Sequence, residues 1–177
     1  MTSDAVAVLR SNPHLDTLGP TAAQALVERA QRLEVDTGRV VFMEGEAGSS
    51  LYIVLEGRVR LTRRCQGVGA LRLAEVGPGG IVGEMALLDP APRTATAVAI
   101  RPVDCLCLSH DDLDDLLYED AAVARDLVRA IAAILVERVR RTHAQVGELL
   151  EAAQQQGVRV DNIEREMWGL LHQGVSP

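Results

Sequence analysis

Residues 83–97 read GEMALLDPAPRTATA, and this stretch decides what we expect of the fold around it. A short approach strand leads into a single helical turn, which Pro90 prevents from growing longer. The first amides of a helix have no partner within the helix, so those of Met85, Ala86 and Leu87 are expected to be unpaired. Unpaired amides at a helix start attract anions, and the stretch therefore predicts an anion site.

A guanidinium and a carboxylate accompany these amides. Arg93 opens the next strand, where its side chain can return to the helical turn and bind phosphate oxygens through two parallel hydrogen bonds. Glu84 would repel a ligand that is only a phosphate, so it indicates a ligand that also donates a hydroxyl, such as a ribose. Thr94 and Thr96 add small hydroxyl side chains. Taken alone, Glu84 and Arg93 are better explained by a surface ion pair than by a ligand site.

Short runs rich in aliphatic and β-branched residues surround this stretch. Clusters of Gly, Pro, Asp and Ser separate them at intervals of about eight to twelve residues, a spacing typical of an all-β sandwich or barrel. The connectors are too short for helical crossovers, so we expect mostly antiparallel pairing. The runs occupy residues 40–43, 51–55, 59–62, 71–76, 94–100 and 103–108.

Helical patterns lie on both sides of the β-rich part. Thr21 is a candidate N-cap near the start of the chain, and Ser109 is another after the last strand. From Ala121 to about Gln155 one long helical pattern runs without proline. The sequence therefore predicts an N-terminal helical segment (1–30), a β domain (31–118), a long helix (119–156) and a tail or short helix (157–177).

The long helix carries a seam of apolar and small residues. A helix of this length is about 50 Å long, more than a small β domain can cover. Steps of four and three alternate along the seam, which is the heptad pattern of a two-stranded coiled coil. We therefore expect a homodimer through residues 121–155, with an amphipathic helix lying on its own domain as the alternative. The seam consists of Leu135, Val139, Thr142, Val146, Leu149 and Ala153.

The composition limits the partners that the chain can have. Of its 177 residues 47% are apolar and 24% charged, which is typical of a folded soluble domain, and the rarity of aromatic residues leaves the packing to aliphatic side chains. All 18 basic residues are Arg, and the net charge of −7 has the wrong sign for nucleic-acid binding over the whole surface. No membrane span or signal peptide is predicted, so we expect a cytoplasmic protein.

The residue types of metal sites and enzymes do not form a convincing pattern. Cys105 and Cys107 lie two positions apart in an apolar run, and we expect them to pack as small hydrophobic side chains. Ser109, His110 and Asp111 are consecutive, whereas catalytic triads assemble from distant segments. The sequence therefore predicts no enzyme activity and no bound metal.

The stretch 83–97 resembles the phosphate-binding cassette of the cyclic nucleotide-binding domain family. This is the β-roll of catabolite-activator-type regulators, cyclic-nucleotide-dependent kinases and gated channels. A second block, FMEGEAGSSLYIVLEGRVRL at residues 42–61, resembles the upstream hairpin of that family, and the resemblance covers about residues 15–155. It implies a mainly β fold, an antiparallel double-stranded and jelly-roll-like β-roll with N-terminal helices and a long C-terminal helix. The cassette pattern is matched by Gly83, Glu84, Met85, Ala86, Leu87, Leu88, Pro92, Arg93, Thr94, Ala95 and Thr96.

The resemblance also implies roles for individual cassette residues. Glu84 would accept a hydrogen bond from the ribose 2′-hydroxyl, and Arg93 would pair with the cyclic phosphate. The amides that follow Gly83, those of Met85 and Ala86, would help to hold the phosphate. Thr94 would reach the phosphate or the purine.

In the bacterial regulators of the family, polar residues of the long helix cap the base. Thr142 and His143 occupy the matching positions here. The alternatives are a hydroxyl that sets the helix register, for Thr142, and a solvated helix face, for His143. Since Thr94 also occurs in family members that accept cGMP, the ligand is cAMP or cGMP, and we expect cAMP.

The resemblance implies a stand-alone regulator that signals to an unknown effector protein through its long helix. Residues 157–177 are too few for the winged helix-turn-helix of the family's transcription factors, so direct DNA binding is not expected. We expect Trp168 to pack on its own domain, with a lid or a docking face as alternatives. The competing function is a ligand-independent oligomerisation scaffold with a degenerate nucleotide site.

Overall fold

The computed structural model describes residues 2–65, 67 and 69–156 of the chain. It divides into two units, Met1–Ala133 and Ile134–Pro177, so the boundary falls inside the long helix. The short helix predicted around Trp168 lies outside the described residues. Among the helices that are described, none is long and apolar enough to cross a membrane.

Three helices begin the chain, α1 (Thr2–Arg10), α2 (Pro13–Asp16) and α3 (Gly19–Arg29). The prediction of Thr21 as an N-cap was wrong, because α3 starts two residues earlier with Pro20 in its first turn. Proline fits there since its missing N–H would have had no partner in the helix. The helices bury apolar side chains that include Leu9, Leu15 and Leu26.

Within the described residues eight strands follow, and every pairing between them is antiparallel, as the sequence predicted. The main sheet has the order β1-β8-β4-β5, with β2 also paired to β8 and β6 to β4, while β3 and β7 form a separate two-stranded sheet. The strands are β1 (Gln31–Val35), β2 (Val40–Phe42), β3 (Ala47–Gly48), β4 (Ser50–Cys65), β5 (Gly69–Val76), β6 (Ile81–Val82), β7 (Ala91–Pro92) and β8 (Thr96–Ser109).

Two of these strands are longer than the sequence pattern indicated. The runs 51–55 and 59–62 are parts of the single strand β4, and 94–100 and 103–108 contribute to β8. Gly57 does not end the strand: its φ is +86°, and a Cβ built there would lie 1.8 Å from the carbonyl oxygen of Pro102. The register of β4 on β8 shifts on both sides of this position.

The remaining helices agree with the sequence. The single turn α4 (Met85–Leu88) ends before Pro90, and α5 (His110–Glu119) begins at the predicted cap Ser109. The Ser109 hydroxyl accepts a hydrogen bond from the Asp112 amide, while the Asp112 carboxylate accepts one from the Ser109 amide, which completes a capping box. The long helix α6 spans Ala121–Gln155.

The core is aliphatic, as the composition predicted. It lies between the strands of the roll, and Phe42 is the one aromatic residue among the buried side chains of the described chain. Because Val and Ala side chains are small, they fill the core only if the neighbouring strands lie close together. Its central cluster consists of Phe42, Val54, Val59, Val82, Ala97, Ala99, Val103 and Cys105.

We predict that Gly57→Ala is more destabilising than Gly38→Ala. Both glycines have positive φ, but a Cβ at Gly38 meets nothing within 4 Å, whereas one at Gly57 collides with Pro102. The backbone conformation alone costs about 1–2 kcal/mol in each variant, and the collision adds about 1–3 kcal/mol for Gly57. Urea unfolding followed by circular dichroism checks this, and equal losses in the two variants would contradict it.

Candidate functional site

The helical turn α4 places an acidic side chain inside the protein. The buried strand β6 pairs with β4 and leads into Gly83, whose positive φ of +78° turns the chain toward α4. Glu84 follows at the N-cap position of α4 and is only 4% exposed. A buried glutamate is rare, because desolvating a carboxylate costs free energy unless partners compensate.

Arg93 is the basic counterpart and is 6% exposed. Its backbone is held by the segment before β4: its amide donates to the carbonyl oxygen of Glu46, and its carbonyl oxygen accepts from the amide of Gly45, both at 2.8 Å. In the part of the chain that the structure describes, Glu84 and Arg93 are the buried charged residues. An exposed surface ion pair therefore does not describe them.

The guanidinium of Arg93 points into the protein. Its Nη1 donates to the carbonyl oxygen of Ser50 at 2.6 Å and to that of Gly83 at 3.3 Å, and its Nη2 donates to the Ser50 hydroxyl at 3.0 Å. Its Nε is buried and donates to no atom of the described residues. The guanidinium is thus bound mainly through its two terminal nitrogens, on the side of Ser50.

Two aromatic rings and two glycines complete the surroundings of the guanidinium. Its Cζ lies 4.4 Å from the ring centroid of Phe42 and 5.8 Å from that of Tyr52. A Cβ built on Gly48 would lie 2.6 Å from Nε of Arg93, and one built on Gly83 would lie 2.6 Å from Nη1. We call the space formed by Phe42, Gly48, Ser50 and Gly83 the arginine slot.

The expectation of unpaired amides at the helical turn was wrong for two of the three. The Ala86 amide donates to the carbonyl oxygen of Gly83 at 3.2 Å, and the Leu87 amide donates to that of Glu84 at 3.3 Å. A helix of one turn tightens its first residues with bonds to the third preceding carbonyl, which satisfies these donors. Met85 lies on the exposed side of the turn.

The threonines after Arg93 differ in what they contact. Thr94 is exposed directly beside the buried arginine, where its hydroxyl is accessible to a ligand. Thr96 instead accepts a hydrogen bond from the Glu44 amide at 3.0 Å through its hydroxyl. Thr96 therefore ties β8 to the chain after β2 and is occupied with a structural contact.

The two expected base-capping residues belong to the second unit. Thr142 and His143 occupy exposed positions of α6, and their role toward a nucleotide stays a prediction. The same part of α6 presents apolar seam residues to solvent: Val139 is 52% exposed and Leu149 is 70% exposed. Apolar side chains repeated along one helix face favour a partner helix.

Ser50, Phe42 and Tyr52 surround Arg93, and the sequence did not single them out as site residues. The sequence places them in the hairpin of residues 42–61 and assigns them no contact with a ligand. For Phe42 and Tyr52, rarity is the signal that could have found them, because the chain has one Phe and two Tyr in total. Two of these three aromatic residues lie within eleven consecutive positions, 42–52.

Two cysteines of β8 have altered acidity. Burial raises the pKa of the Cys105 thiol to about 12. Burial also raises the pKa of Cys107, although hydrogen bonds with Ser50 and Tyr52 oppose this effect. Within the described residues, no group of three or more His, Cys, Asp or Glu side chains is arranged to hold a metal ion.

Comparison with known proteins gives consistent matches. Residues 32–120 match the family model described as Cyclic nucleotide-binding domain. The CRP-like cAMP-activated global transcriptional regulator of Mycobacterium tuberculosis is 32% identical over 131 residues, which are 74% of this chain and 57% of that protein. The Cyclic AMP receptor protein of Thermus thermophilus is 31% identical over 169 residues, 96% of this chain and 74% of that protein.

Solved structures show the same architecture. The N-terminal domain of a transcriptional regulator from Streptomyces coelicolor is 38% identical, with a TM-score of 0.66 over 76% of this chain and 94% of that one. The Thermus thermophilus Catabolite Activator Protein is 27% identical, with a TM-score of 0.68 over 94% of this chain and 91% of that one. They confirm the predicted mainly β fold with flanking helices and a long C-terminal helix.

We predict that the free energy of unfolding falls as the pH rises from 9 toward 12, in part through Cys105. The thiol has a pKa of about 12 when folded against an ordinary value of 9.0. The unfolded chain therefore loses this proton first, which favours unfolding. The chain has no Lys, so few other groups titrate in this window.

The measurement is urea unfolding of the wild type and of Cys105→Ala at pH 8 and pH 10.5. The variant should lose less stability than the wild type between the two pH values, whatever its stability at pH 8. Equal losses would show that Cys105 is not responsible.

Proposed function

Since this chain belongs to the cyclic nucleotide-binding domain family, we propose that it is a regulatory protein that binds cAMP in preference to cGMP. Membership rests on the family-model match at residues 32–120 and on the identity with the Thermus thermophilus receptor. The observation that carries the proposal is the burial of Glu84, which follows Gly83 in the chain, and of Arg93, whose Nη1 donates to the Gly83 carbonyl oxygen. A cyclic nucleotide offers an anion and a hydroxyl donor to such a pair.

Each cassette group has a ligand atom that suits its chemistry. The guanidinium of Arg93 would bind the singly charged cyclic phosphate, since its buried Nε is a donor without a partner in the described chain. The carboxylate of Glu84 would accept from the ribose 2′-hydroxyl. The amides of Met85 and Ala86 and the exposed Thr94 would supply weaker contacts to the phosphate, with that of Ala86 shared with the Gly83 carbonyl.

The preference for cAMP is supported by the relatives and by two residues of α6. The Mycobacterium tuberculosis regulator is named as cAMP-activated and the Thermus thermophilus protein as a cyclic AMP receptor. We propose that Thr142 and His143 cap the purine, as the family resemblance implies. A hydroxyl and an imidazole can both hydrogen-bond to an adenine edge.

We propose further that the chain forms a homodimer through residues 121–155 and passes the ligand signal to an effector protein. The support is the exposed apolar seam of α6, in which Val139 and Leu149 remain largely accessible. The chain spans 57% of the length of the mycobacterial regulator it matches. The transcriptional activity of that protein is therefore not transferred, and we propose a non-catalytic role in the cytoplasm.

The contacts of Arg93 also favour a second candidate, a ligand-independent oligomerisation scaffold. Its guanidinium already donates to Ser50 and Gly83, so part of its hydrogen-bonding capacity is used inside the protein. A ligand must compete with these bonds or add to them. The two candidates differ in one measurable property, which is whether the protein binds a cyclic nucleotide at all.

We predict that the wild type binds cAMP and that Arg93→Ala weakens binding by about 30- to 1000-fold. Loss of a charge-assisted contact to a phosphate in a partly buried site is worth about 2–4 kcal/mol. Isothermal titration with cAMP and cGMP measures the affinities. Arg101→Ala is the matched control, because Arg101 is exposed and far along β8 from the cassette.

A thermal-shift series separates the two candidate functions. Ligand at 100 times its dissociation constant should stabilise the fold by about 2.7 kcal/mol. No binding of either nucleotide at 100 μM would leave the scaffold as the function. Full binding by Arg93→Ala would contradict the assigned role of that residue.

We predict that Val139→Glu separates the homodimer into monomers at micromolar concentration. A carboxylate in the apolar seam would be desolvated against its own copy on the partner helix. Ala144→Glu adds the same charge at an exposed position off the seam and should leave the dimer intact. Sedimentation equilibrium decides, and a monomeric wild type would contradict the proposed interface.

A further inference from the structure

We propose that the ring of Phe42 positions Arg93 for phosphate binding by a cation–π contact. This inference rests on the proposed function and assigns a role to a residue that the cassette pattern does not include. The guanidinium Cζ lies 4.4 Å from the Phe42 centroid, well within the range of such contacts. Phe42 is 5% exposed, so water screens the contact little.

The hydrogen bonds of Arg93 leave the orientation of its guanidinium plane underdetermined. All three go from the terminal nitrogens to Ser50 and Gly83, and Nε has no acceptor among the described residues. A group held at one end can tilt about that end. The Phe42 ring, over which Cζ lies, restricts the tilt, and a phosphate that needs two parallel N–H donors gains from this restriction.

Tyr52 and Gly83 hold the Phe42 ring against the guanidinium of Arg93. Tyr52 stacks on Phe42 with centroids 5.8 Å apart and planes at 29°. A Cβ on Gly83 would lie 3.4 Å from Cε1 of Phe42 and 2.6 Å from Nη1 of Arg93, so the bare glycine leaves room for both groups. The ring, the glycine and the guanidinium therefore share one contact region.

The sequence permits an unusually clean test, because Phe42 is the only phenylalanine of the chain. Replacing all phenylalanine by mono-, di- or trifluorinated analogues alters this one ring. Fluorine weakens the negative face of the ring while its shape changes little. The affinity for cAMP, measured by isothermal titration, should fall stepwise with fluorination to a total of about 3- to 30-fold.

Two further variants tie the effect to Arg93. Phe42→Leu keeps an apolar side chain without a π face and should weaken cAMP binding by a similar factor, but should cause no further loss when combined with Arg93→Ala. Tyr118→Leu is the matched control, because Tyr118 is 94% exposed. This variant should bind cAMP with the affinity of the wild type. The fluorinated series keeps the proposal testable if Phe42→Leu does not fold.

The outcomes distinguish this inference from the function on which it rests. If the wild type binds neither nucleotide, the proposed function and the role of Phe42 are both contradicted. If the wild type binds, Arg93→Ala does not, and the fluorinated series has unchanged or increased affinity, then only the role of Phe42 is overturned. A loss from Phe42→Leu that persists in full in the Arg93→Ala background would likewise show that the ring acts on packing and not through the guanidinium.

Discussion

The burial of the Arg93 guanidinium is the constraint on which the candidate site depends. A desolvated cation is costly unless carbonyl oxygens, hydroxyls or ring faces replace its water. Here two carbonyls, the Ser50 hydroxyl and the Phe42 ring do so. These groups belong to Phe42, Ser50 and Gly83, so the arginine has all its partners only when these three segments have come together.

The backbone of the site is fixed by pairing between short strands. β3 and β7 form a two-stranded sheet, and the Glu46 and Gly45 backbone bonds of Arg93 continue it. Glycines at 48 and 83 let the side chain pass where any Cβ would collide with it. The pairing of β3 with β7 and the two glycines together allow the charged side chain of Arg93 to lie in the interior.

Local chemistry was predictable at some of the helix ends but not at Thr21, where α3 starts two residues earlier than its cap signal indicated. Ser109 caps its helix through a capping box, and Pro90 follows the end of α4, as the sequence indicated. The prediction failed where local signals compete with pairing. Residues 51–55 and 59–62 looked like two separate strands, but β4 continues through Gly57 along its partner β8, which continues through Pro102.

The sequence by itself determined the antiparallel β architecture, the long helix and the choice of Glu84 and Arg93, because these depend on periodicity, short connectors and a local motif. Only the tertiary structure decided that the arginine turns inward, that the Ala86 and Leu87 amides are already paired, and that Ser50 and Phe42 surround the guanidinium. The physical reason is that burial and hydrogen bonding join Phe42 and Ser50 to Arg93, which lies 43 positions after Ser50 along the chain. No spacing rule within one segment encodes their contact.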